Sequence, residues 1–239
     1  MPIFDQAEYQ IRCEWGERGV LTLAPISDVV IIIDVLSFTT SLDIAVSQGA
    51  VAYPYRHGDA SAYTYAESVH AEVAHPDNPR GYSLSPMTLE HLPIDYRMVL
   101  PSPNGSTLSL ATGETPTLAG CLRNARSVAD KAMTIGRHIA VIPSGERWKD
   151  DNTLRPSLED WLGAGAIISY LNGSRSPEAE AAAMSFAQTE SNLHDTILTC
   201  SSGKEKMCKD QERDIQLAAD LNVSTCVPVL KDGAYQPHV

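Results

Sequence analysis

The sequence predicts an α/β protein, layered α/β/α, with a largely parallel or mixed sheet. The segment Asp28–Leu36 carries an unbroken β-branched stretch before Asp34, which is typical of a strand covered on both faces. A hydroxyl-rich turn, Ser37–Ser41, and a helical pattern ending near Gln48 follow it. Strand and helix patterns then alternate along the chain, which favours a layered fold over separate all-α and all-β parts.

Further strands are predicted from short β-branched or aromatic runs between turn residues. They are Ala50–Tyr55, Arg97–Leu100, His138–Ile142, Thr196–Thr199 and Cys226–Leu230. The last contains Pro228, which cannot donate a ladder hydrogen bond, so an edge position is expected.

Helical periodicity predicts five further helices: Ala60–Ala74, Gly120–Met133, Leu158–Leu171, Glu178–Glu190 and Glu212–Leu221. The stretch His75–Asp95 is rich in proline and turn residues and predicts a long surface loop. Trp148–Pro156 is polar and charged, and predicts a second, mobile loop.

The domain organisation predicted is one domain over residues 1–239, because no linker composition interrupts the chain. Residues 41–50 (SLDIAVSQGA) resemble residues 157–166 (SLEDWLGAGA). This likeness is either a coincidence between two similarly capped helices or the trace of a duplication that produced two related lobes.

The acidic charge balance disfavours two classes of binding partner. The formal charge of −12 disfavours binding to nucleic acid, which needs a basic face, and to anionic membrane surfaces. We find no apolar run long enough to span a bilayer and no signal-like N-terminus, so a cytoplasmic location is expected. An acidic protein acting on an anion usually needs a divalent cation or well-placed basic side chains.

Asp34 is the first candidate site residue. It follows a buried strand, and ligands of open α/β sheets bind at the carboxyl ends of strands. Its carboxylate is therefore a metal ligand or a base, or else it caps the following turn. A nucleophilic aspartate of the haloacid dehalogenase type is poorly supported, because the second aspartate of that motif is replaced by Leu36.

Several turns carry hydroxyl and amide donors suited to a phosphate. Thr39 and Thr40 begin a helix, Asn104 and Gly105 form a tight turn, and Ser202-Gly203-Lys204 follows a predicted strand. Ordinary capping and turn formation remain the alternatives.

Charged residues complete the candidate set. Arg123, beside Asn124, offers a bidentate contact to an anion, although a solvated surface arginine is the commoner case. Glu159 and Asp160 open a helix after Ser157, where they act as a capping box or hold Mg²⁺. Asp214 is interpreted as a surface charge on a helix.

The order of these motifs resembles the 2-phosphosulfolactate phosphatase (ComB) family over about residues 20–235. The matching stretches are VVIIIDVLSFTTSL (29–42), PNGS (103–106), GCLRNARSVA (120–129), IAVIPSGER (139–147), PSLEDWLGAGAII (156–168), SSGKE (201–205) and RDIQLAADLNVSTCVPVLKDG (213–233).

This resemblance implies a layered α/β fold and a Mg²⁺-dependent acid phosphatase. The reaction implied is hydrolysis of 2-phosphosulfolactate to 3-sulfolactate and phosphate, a step toward coenzyme M. By position, the family motifs include Asp34, Thr39, Thr40, Asn104, Gly105, Arg123, Asn124, Glu159, Asp160, Ser202, Gly203 and Asp214.

We therefore expect Mg²⁺ between Asp34 and one or both of Glu159 and Asp160. Phosphate would lie against Thr39, Thr40, Asn104, Gly105 and Ser202, with Arg123 and Lys204 neutralising the substrate. Ser37 stands where the family commonly has Arg, so a bidentate contact to the substrate is lost. This departure bears on the exact substrate and leaves the fold prediction unchanged. Three alternatives to this activity stay open: a different phosphate or sulfonate substrate, a lyase or transferase activity, and non-catalytic binding of a small molecule. The sequence also leaves open whether the protein forms a homodimer.

Overall fold

The computed structural model describes residues 3–78 and 80–237. The first half of the chain contains β1 (Ile11–Cys13), α1 (Gly16–Leu23), β2 (Val29–Ile33), α2 (Phe38–Ser47), β3 (Val51–Tyr55), α3 (Ala60–Ser68), β4 (Glu72–Val73), β5 (Arg97–Pro101), α4 (Gly105–Ser109) and β6 (Thr117–Gly120). The second half contains α5 (Ala125–Ile135), β7 (Ile139–Pro143), β8 (Glu146–Arg147), β9 (Leu154–Arg155), α6 (Leu158–Tyr170), α7 (Pro177–Thr189), α8 (Leu193–Thr199), α9 (Ser201–Met207), α10 (Glu212–Ala219), β10 (Pro228–Lys231) and β11 (Ala234–Pro237).

The main sheet has nine described strands in the order β1-β7-β2-β6-β10-β11-β3-β5-β4. Strands β1, β7, β2 and β6 are parallel to one another, and β3, β5 and β4 form a second parallel group. The β10–β11 hairpin pairs antiparallel with both groups, so the two groups run in opposite directions. The mixed sheet predicted from the sequence is confirmed.

Helices cover both faces of this sheet, as the layered prediction requires. In β2, Val29, Ile31 and Ile33 pack with α5, α6 and α7. The alternate residues Val30 and Ile32 pack against α1 and α4 on the opposite face. Every residue of β2 is therefore buried, which explains why its sequence is uniformly apolar instead of alternating.

The sheet is curved enough to bring the ends of β2 and β5 together. These strands lie five positions apart in the sheet order. Nevertheless, the backbone N–H of Gly105, shortly after β5, donates a hydrogen bond of 2.8 Å to the carboxylate of Asp34, directly after β2. Helix α2 lies inside this curve, where Phe38 packs edge-on against Tyr235 of β11.

The strand predicted at Thr196–Thr199 is wrong, because this segment belongs to helix α8. Leu193 and Ile197, one helical turn apart, are the buried residues of this helix. A four-residue window of threonine, isoleucine and leucine looks like a strand, whereas the buried periodicity spans the longer segment.

The edge position predicted for Cys226–Leu230 is also wrong. Strand β10 lies inside the sheet, between β6 and β11. Pro228 is its first residue, and the pairing with β6 begins at Val229, so the missing N–H disturbs no bond to β6.

Other differences concern boundaries and short strands. The predicted helix from Ala60 ends at Ser68, and the predicted helix from Gly120 begins at Ala125 because strand β6 occupies Thr117–Gly120. Strands β1, β4, β6, β8, β9 and β11 were not predicted, and β4 lies inside the span predicted as a helix. The expected loop at Trp148–Pro156 contains strand β9, which pairs with β8 in a small separate hairpin.

The two similar decapeptides occupy different positions in their helices. Ser41 lies in the first turn of α2, whereas Ser157 precedes α6 as its N-cap. Gly49 follows α2 with a positive φ of 86°, whereas Gly165 lies inside α6. None of the described helices is long and apolar enough to cross a membrane.

Candidate active site

Four acidic side chains, which we call the carboxylate cluster, meet near the carboxyl ends of β2 and β7: Asp34, Glu146, Glu159 and Asp160. Asp34 follows β2, Glu146 begins β8, and the other two open α6. Asp34, Glu159 and Asp160 are 6%, 2% and 3% exposed, respectively. The four are close enough for neighbouring charges to raise the pKa of Asp34, Glu146 and Asp160, although burial is the larger cause in each case.

Asp34 is held by backbone donors from two loops. Its Oδ1 accepts a hydrogen bond from the N–H of Phe38 at 3.2 Å, and its Oδ2 accepts one from Gly105 at 2.8 Å. Burial raises the pKa of Asp34, while these two N–H groups oppose the rise. Asp34 therefore caps the following turn and also occupies the site, so the two alternatives from the sequence are compatible.

Asp160 joins three segments through its carboxylate. Its Oδ1 accepts the N–H of Val35 at 2.7 Å, and its Oδ2 accepts the N–H of Gly145 at 2.8 Å and the hydroxyl of Ser157 at 2.9 Å. The capping box considered for Ser157 and Asp160 is not formed, because the serine hydroxyl points to the carboxylate and makes no side-chain cap bond. Asp160 thus fixes the loops after β2 and β7 relative to α6.

Glu159 is the least constrained acid of the buried three. Among the described contacts, its carboxylate accepts one hydrogen bond, from the thiol of Cys200 at 3.5 Å. Because a thiol is a weak donor, the lone pairs of Glu159 remain largely available to a ligand.

Glu146 lies beside Asn104, whose Nδ2 donates to Glu146 Oε2 at 2.9 Å. Burial, with the charges of Asp34 and Glu159, raises the pKa of Glu146 to about 7. Such a carboxyl group holds or releases a proton near neutral pH, which is the property of a general acid or base.

Two basic side chains approach the cluster. The pKa of Lys206 is lowered by burial and raised in part by Asp214, Asp34 and Glu146, which places its ammonium in the field of the cluster. Arg155 partly offsets the raised pKa of Glu146 and donates a hydrogen bond of 3.2 Å to Ser202 Oγ. Ser202 accepts this bond, so its own hydroxyl proton is free to point elsewhere.

The threonines of the first turn of α2 mainly satisfy that turn. Thr39 Oγ1 donates to the carbonyl of Asp34 at 2.9 Å, and Thr40 Oγ1 donates to that of Val35 at 2.8 Å. The N–H of Gly105 is likewise occupied by Asp34. The two hydroxyls and the Gly105 N–H therefore stabilise the shape of the site. A phosphate could accept a hydrogen bond from any of them only by replacing the bond that it already makes.

Arg123 and Asn124, predicted to bind substrate, have structural partners outside the carboxylate cluster. Arg123 pairs with Asp43 at 2.9 Å and with Asp220 at 3.3 Å. Asn124 accepts the N–H of Cys121 at 2.9 Å and donates to the carbonyl of Cys226 at 3.1 Å. Both side chains connect α5 to its neighbours.

The serine–glycine–lysine turn contributes unequally. Ser202 lies near the cluster as described, whereas Lys204 is exposed and its neighbour Lys206 takes the inward position. A Cβ on Gly203 would lie 1.9 Å from the carbonyl oxygen of Ile197, so glycine allows α9 to pack on α8.

Asp214, interpreted as a surface charge, is buried. It accepts hydrogen bonds from Ser85 Oγ at 2.6 Å and from the N–H of Met87, and its Oδ2 lies 3.8 Å from Lys206 Nζ. Asp214 therefore positions Lys206. Glu146, Arg155 and Lys206 were missed from the sequence, and only Glu146 had a signal there, namely its place after a strand end and Ser144-Gly145.

The cluster does not form a ready-made metal cage. Within residues 3–78 and 80–237, no three histidine, cysteine, aspartate or glutamate side chains are grouped as metal ligands. The buried hydroxyls of Ser37 and Ser144 lack hydrogen-bond partners in this part of the chain. Buried polar atoms of this kind favour contact with a ligand or water.

Residues 20–233 match the family model described as 2-phosphosulpholactate phosphatase. A probable 2-phosphosulfolactate phosphatase of Carboxydothermus hydrogenoformans is 29% identical over 208 residues, covering 83% of this chain and 84% of that protein. The 2-phosphosulfolactate phosphatase of Methanothermobacter thermautotrophicus is 28% identical over 160 residues, covering 64% of this chain and 67% of that protein.

Proposed function

Since the chain belongs to the 2-phosphosulfolactate phosphatase family, we propose that it hydrolyses the phosphate ester of a small phosphorylated acid. The substrate proposed is 2-phosphosulfolactate, and the products are 3-sulfolactate and phosphate. The names of the two similar proteins support this choice.

The observation that carries the proposal is a group of buried acids without direct counter-ions. In the described residues, no ion pair within 4 Å includes any member of the carboxylate cluster. Buried carboxylates are costly unless they are paired, protonated or bound to a cation. A divalent cation would both stabilise this arrangement and attract the phosphate of a substrate.

The donor set fits Mg²⁺, which binds through one or two carboxylates and keeps several waters. We assign Glu159 and Asp34 as the residues that would hold it, because Glu159 has free lone pairs. Asp160 already accepts three hydrogen bonds and acts by positioning. When bound, Mg²⁺ supplies positive charge to the phosphate oxygens and lowers the pKa of coordinated water.

The basic side chains of the site then account for the remaining phosphate charge. Lys206 and Arg155 approach the cluster from the α9 side, and Ser202 has a hydroxyl proton available. Lys206 replaces Lys204 and Arg123 in the role expected from the sequence. Its ammonium is held by Asp214, so the orientation does not depend on substrate.

Glu146 is proposed as the proton donor to the leaving group. A water oxygen forms the new bond to phosphorus, the ester P–O bond breaks, and the leaving alkoxide takes the proton of Glu146. The proton released by the attacking water restores Glu146 after product departure, so the sum is ester plus water giving alcohol plus phosphate. The hydrogen bond from Asn104 orients the carboxyl group for this transfer.

The test compares Glu159→Gln with Glu67→Gln, which makes the same substitution on the exposed side of α3. Phosphate release from 2-phosphosulfolactate is measured with Mg²⁺ and with a chelator. We expect Glu159→Gln to lower kcat by about 100-fold, which is the usual effect of losing one transition-state contact. Glu67→Gln should match the wild type.

Melting temperature gives a second readout that needs no turnover. Free Mg²⁺ at about ten times its Kd should raise the wild-type Tm by about 4 °C, because it binds the folded state alone. This shift should disappear in Glu159→Gln and persist in Glu67→Gln. Full activity of Glu159→Gln would contradict the assignment, and substrate binding without turnover by the wild type would indicate a non-catalytic relative.

A further inference from the structure

Residues 83–92, which we call the strap, lie along helix α2 and are fixed to it at two points. Ser41 Oγ, in the first turn of α2, donates a hydrogen bond of 2.8 Å to the carbonyl of Leu84. Gln48 Nε2, at the end of the helix, donates one of 2.7 Å to the carbonyl of Leu89. The strap therefore presents its other side chains from a backbone that α2 holds in place.

Two donors of the strap hold one oxygen of Asp214 on α10. Asp214 Oδ1 accepts a hydrogen bond of 2.6 Å from Ser85 Oγ and one of 3.1 Å from the N–H of Met87. Ser85 is 7% exposed and Asp214 is 1% exposed, so these bonds are shielded from water. A short hydrogen bond from a hydroxyl to a carboxylate is about twice as strong as one between neutral groups, so Oδ1 is firmly fixed.

The other oxygen of Asp214 is left without a hydrogen bond. Oδ2 is buried and accepts none from the part of the chain that the structure describes. Lys206 Nζ lies 3.8 Å from it, beyond the roughly 2.9 Å of a charge-assisted hydrogen bond. An unsatisfied buried oxygen is destabilising, and a rotation of the carboxylate toward Lys206 would satisfy it. The strap opposes that rotation because it holds Oδ1.

The separation of these two charges affects the site because Lys206 serves the phosphate. Its side chain is 17% exposed, and its ammonium lies in the field of Asp34 and Glu146. At 3.8 Å, Asp214 attracts the ammonium without engaging its N–H donors, which remain available to phosphate oxygens. A close ion pair would compete with the substrate for the same donors.

We propose that Ser85 is a positioning residue of the active site: it restrains Asp214 so that Lys206 keeps its donors for the substrate phosphate. The proposal rests on the phosphatase function and extends the site to the strap, which belongs to the stretch that the sequence predicts only as a surface loop. The alternative is that Ser85 only anchors the strap. The two roles differ in one respect, because an anchoring role does not depend on Lys206.

Steady-state kinetics with 2-phosphosulfolactate and Mg²⁺ separate the two roles. We expect Ser85→Ala to raise KM about tenfold with little change in kcat, because it weakens a contact that the phosphate makes in the ground and transition states alike. Ser41→Ala, which removes the hydroxyl bond from α2 to the same strap, is the matched control and should leave KM unchanged. In a Lys206→Met background, Ser85→Ala should raise KM no further, because residues that act through one contact are not additive.

Lysine-selective NMR titration gives a readout that needs neither substrate nor turnover. Burial lowers the pKa of Lys206, and Asp214 raises it in part. Three other charges, which are the same in every variant, also act on it: Lys209, Asp34 and Glu146. We expect Ser85→Ala to raise the pKa of Lys206, because the released carboxylate approaches and stabilises the charged ammonium. Asp214→Asn removes the negative charge of this pair and should lower the pKa.

The outcomes distinguish this proposal from the phosphatase function. If the wild type hydrolyses the ester, an unchanged KM or an unchanged Lys206 pKa in Ser85→Ala would overturn the positioning role alone. A rise in KM that is as large in the Lys206→Met background, or as large in Ser41→Ala, would overturn it as well. If the wild type releases no phosphate, the phosphatase function fails, and the Lys206 pKa in Ser85→Ala still decides whether Ser85 restrains Asp214.

Discussion

Single residues of this site work through close contacts that only particular side chains allow. Gly105 shows this most directly, because its N–H reaches Asp34 and its α-carbon lies against α2. A Cβ built there would lie 2.2 Å from Phe38 Cδ1 and 2.8 Å from Asp34 Oδ2. The glycine of the Asn-Gly turn is therefore needed for close packing as well as for the turn.

We expect Gly105→Ala to destabilise the protein by about 3 kcal/mol and to abolish activity, because overpacking displaces Asp34. Gly113→Ala is the control, since nothing lies within 4 Å of the added methyl group at its positive φ of 63°. The control should lose only about 1 kcal/mol through backbone strain. Urea unfolding monitored by circular dichroism measures both, and similar losses would contradict the packing argument.

Some residues of the candidate site were predictable from the sequence and others were not, for a physical reason. Asp34, Glu159 and Asp160 follow a strand or open a helix, so local patterns were sufficient to identify them. Lys206 and Arg155 resemble ordinary surface charges, and their direction depends on how α9 and the β8–β9 hairpin pack. Arg123 was predicted to bind substrate because a guanidinium offers a bidentate contact to an anion. Its pairing with Asp43 could not be foreseen, because the two positions lie 80 residues apart in the sequence.

Elements are fixed around the site by shared hydrogen bonds more than by their own propensity. The carboxylate of Asp160, on α6, connects the loop after β2 with the loop after β7. Each loop presents an N–H to it, and each also contributes an acid to the cluster. A change at Asp160 should therefore affect stability and activity together.

We expect Asp160→Asn to lower the free energy of unfolding by about 3 kcal/mol, because the new amide nitrogen would face backbone N–H donors. Ser157→Ala removes one of the three donors and should lower it by about 1 kcal/mol. Chemical denaturation of both variants provides the measurement. A smaller loss for Asp160→Asn than for Ser157→Ala would exclude the bridging role.

The strength of local patterns also explains which elements could be predicted. Helices α6 and α7 have 13 residues each and were predicted nearly to their ends. Strands β1 and β6 have three and four residues, too few for a periodicity to be recognised. Strand β10 was predicted at an edge of the sheet because a proline inside a strand usually excludes it from the middle of a sheet. Pro228 is the first residue of β10, so its missing N–H does not prevent β10 from pairing inside the sheet.

The whole molecule depends on the β10–β11 hairpin, which joins two parallel groups of strands that run in opposite directions. Tyr235 of β11 is fully buried between them. Its ring packs on Phe38 of α2, and its hydroxyl lies 2.7 Å from that of Ser109 in α4. One side chain thus contacts elements on both sides of the curve that brings Asp34 to Gly105.

We expect Tyr235→Ala to destabilise the protein by about 4 kcal/mol, as for other large buried side chains. Tyr235→Phe keeps the ring and loses the contact with Ser109, so a loss of about 1 kcal/mol is expected. Thermal unfolding and phosphate release are measured together. Equal effects of the two substitutions would show that the hydroxyl, and not the ring, holds the groups together.

The position of this hairpin in the chain has a consequence for biosynthesis. Strands β10 and β11 leave the ribosome after the seven other strands of the sheet, yet they lie between β6 and β3. If the two parallel groups form before the hairpin inserts, their edges at β6 and β3 are open, and open edges invite pairing with other chains. Asp34 and Gly105 belong to the two different groups, so we expect their contact to form only after β10 and β11 have been translated.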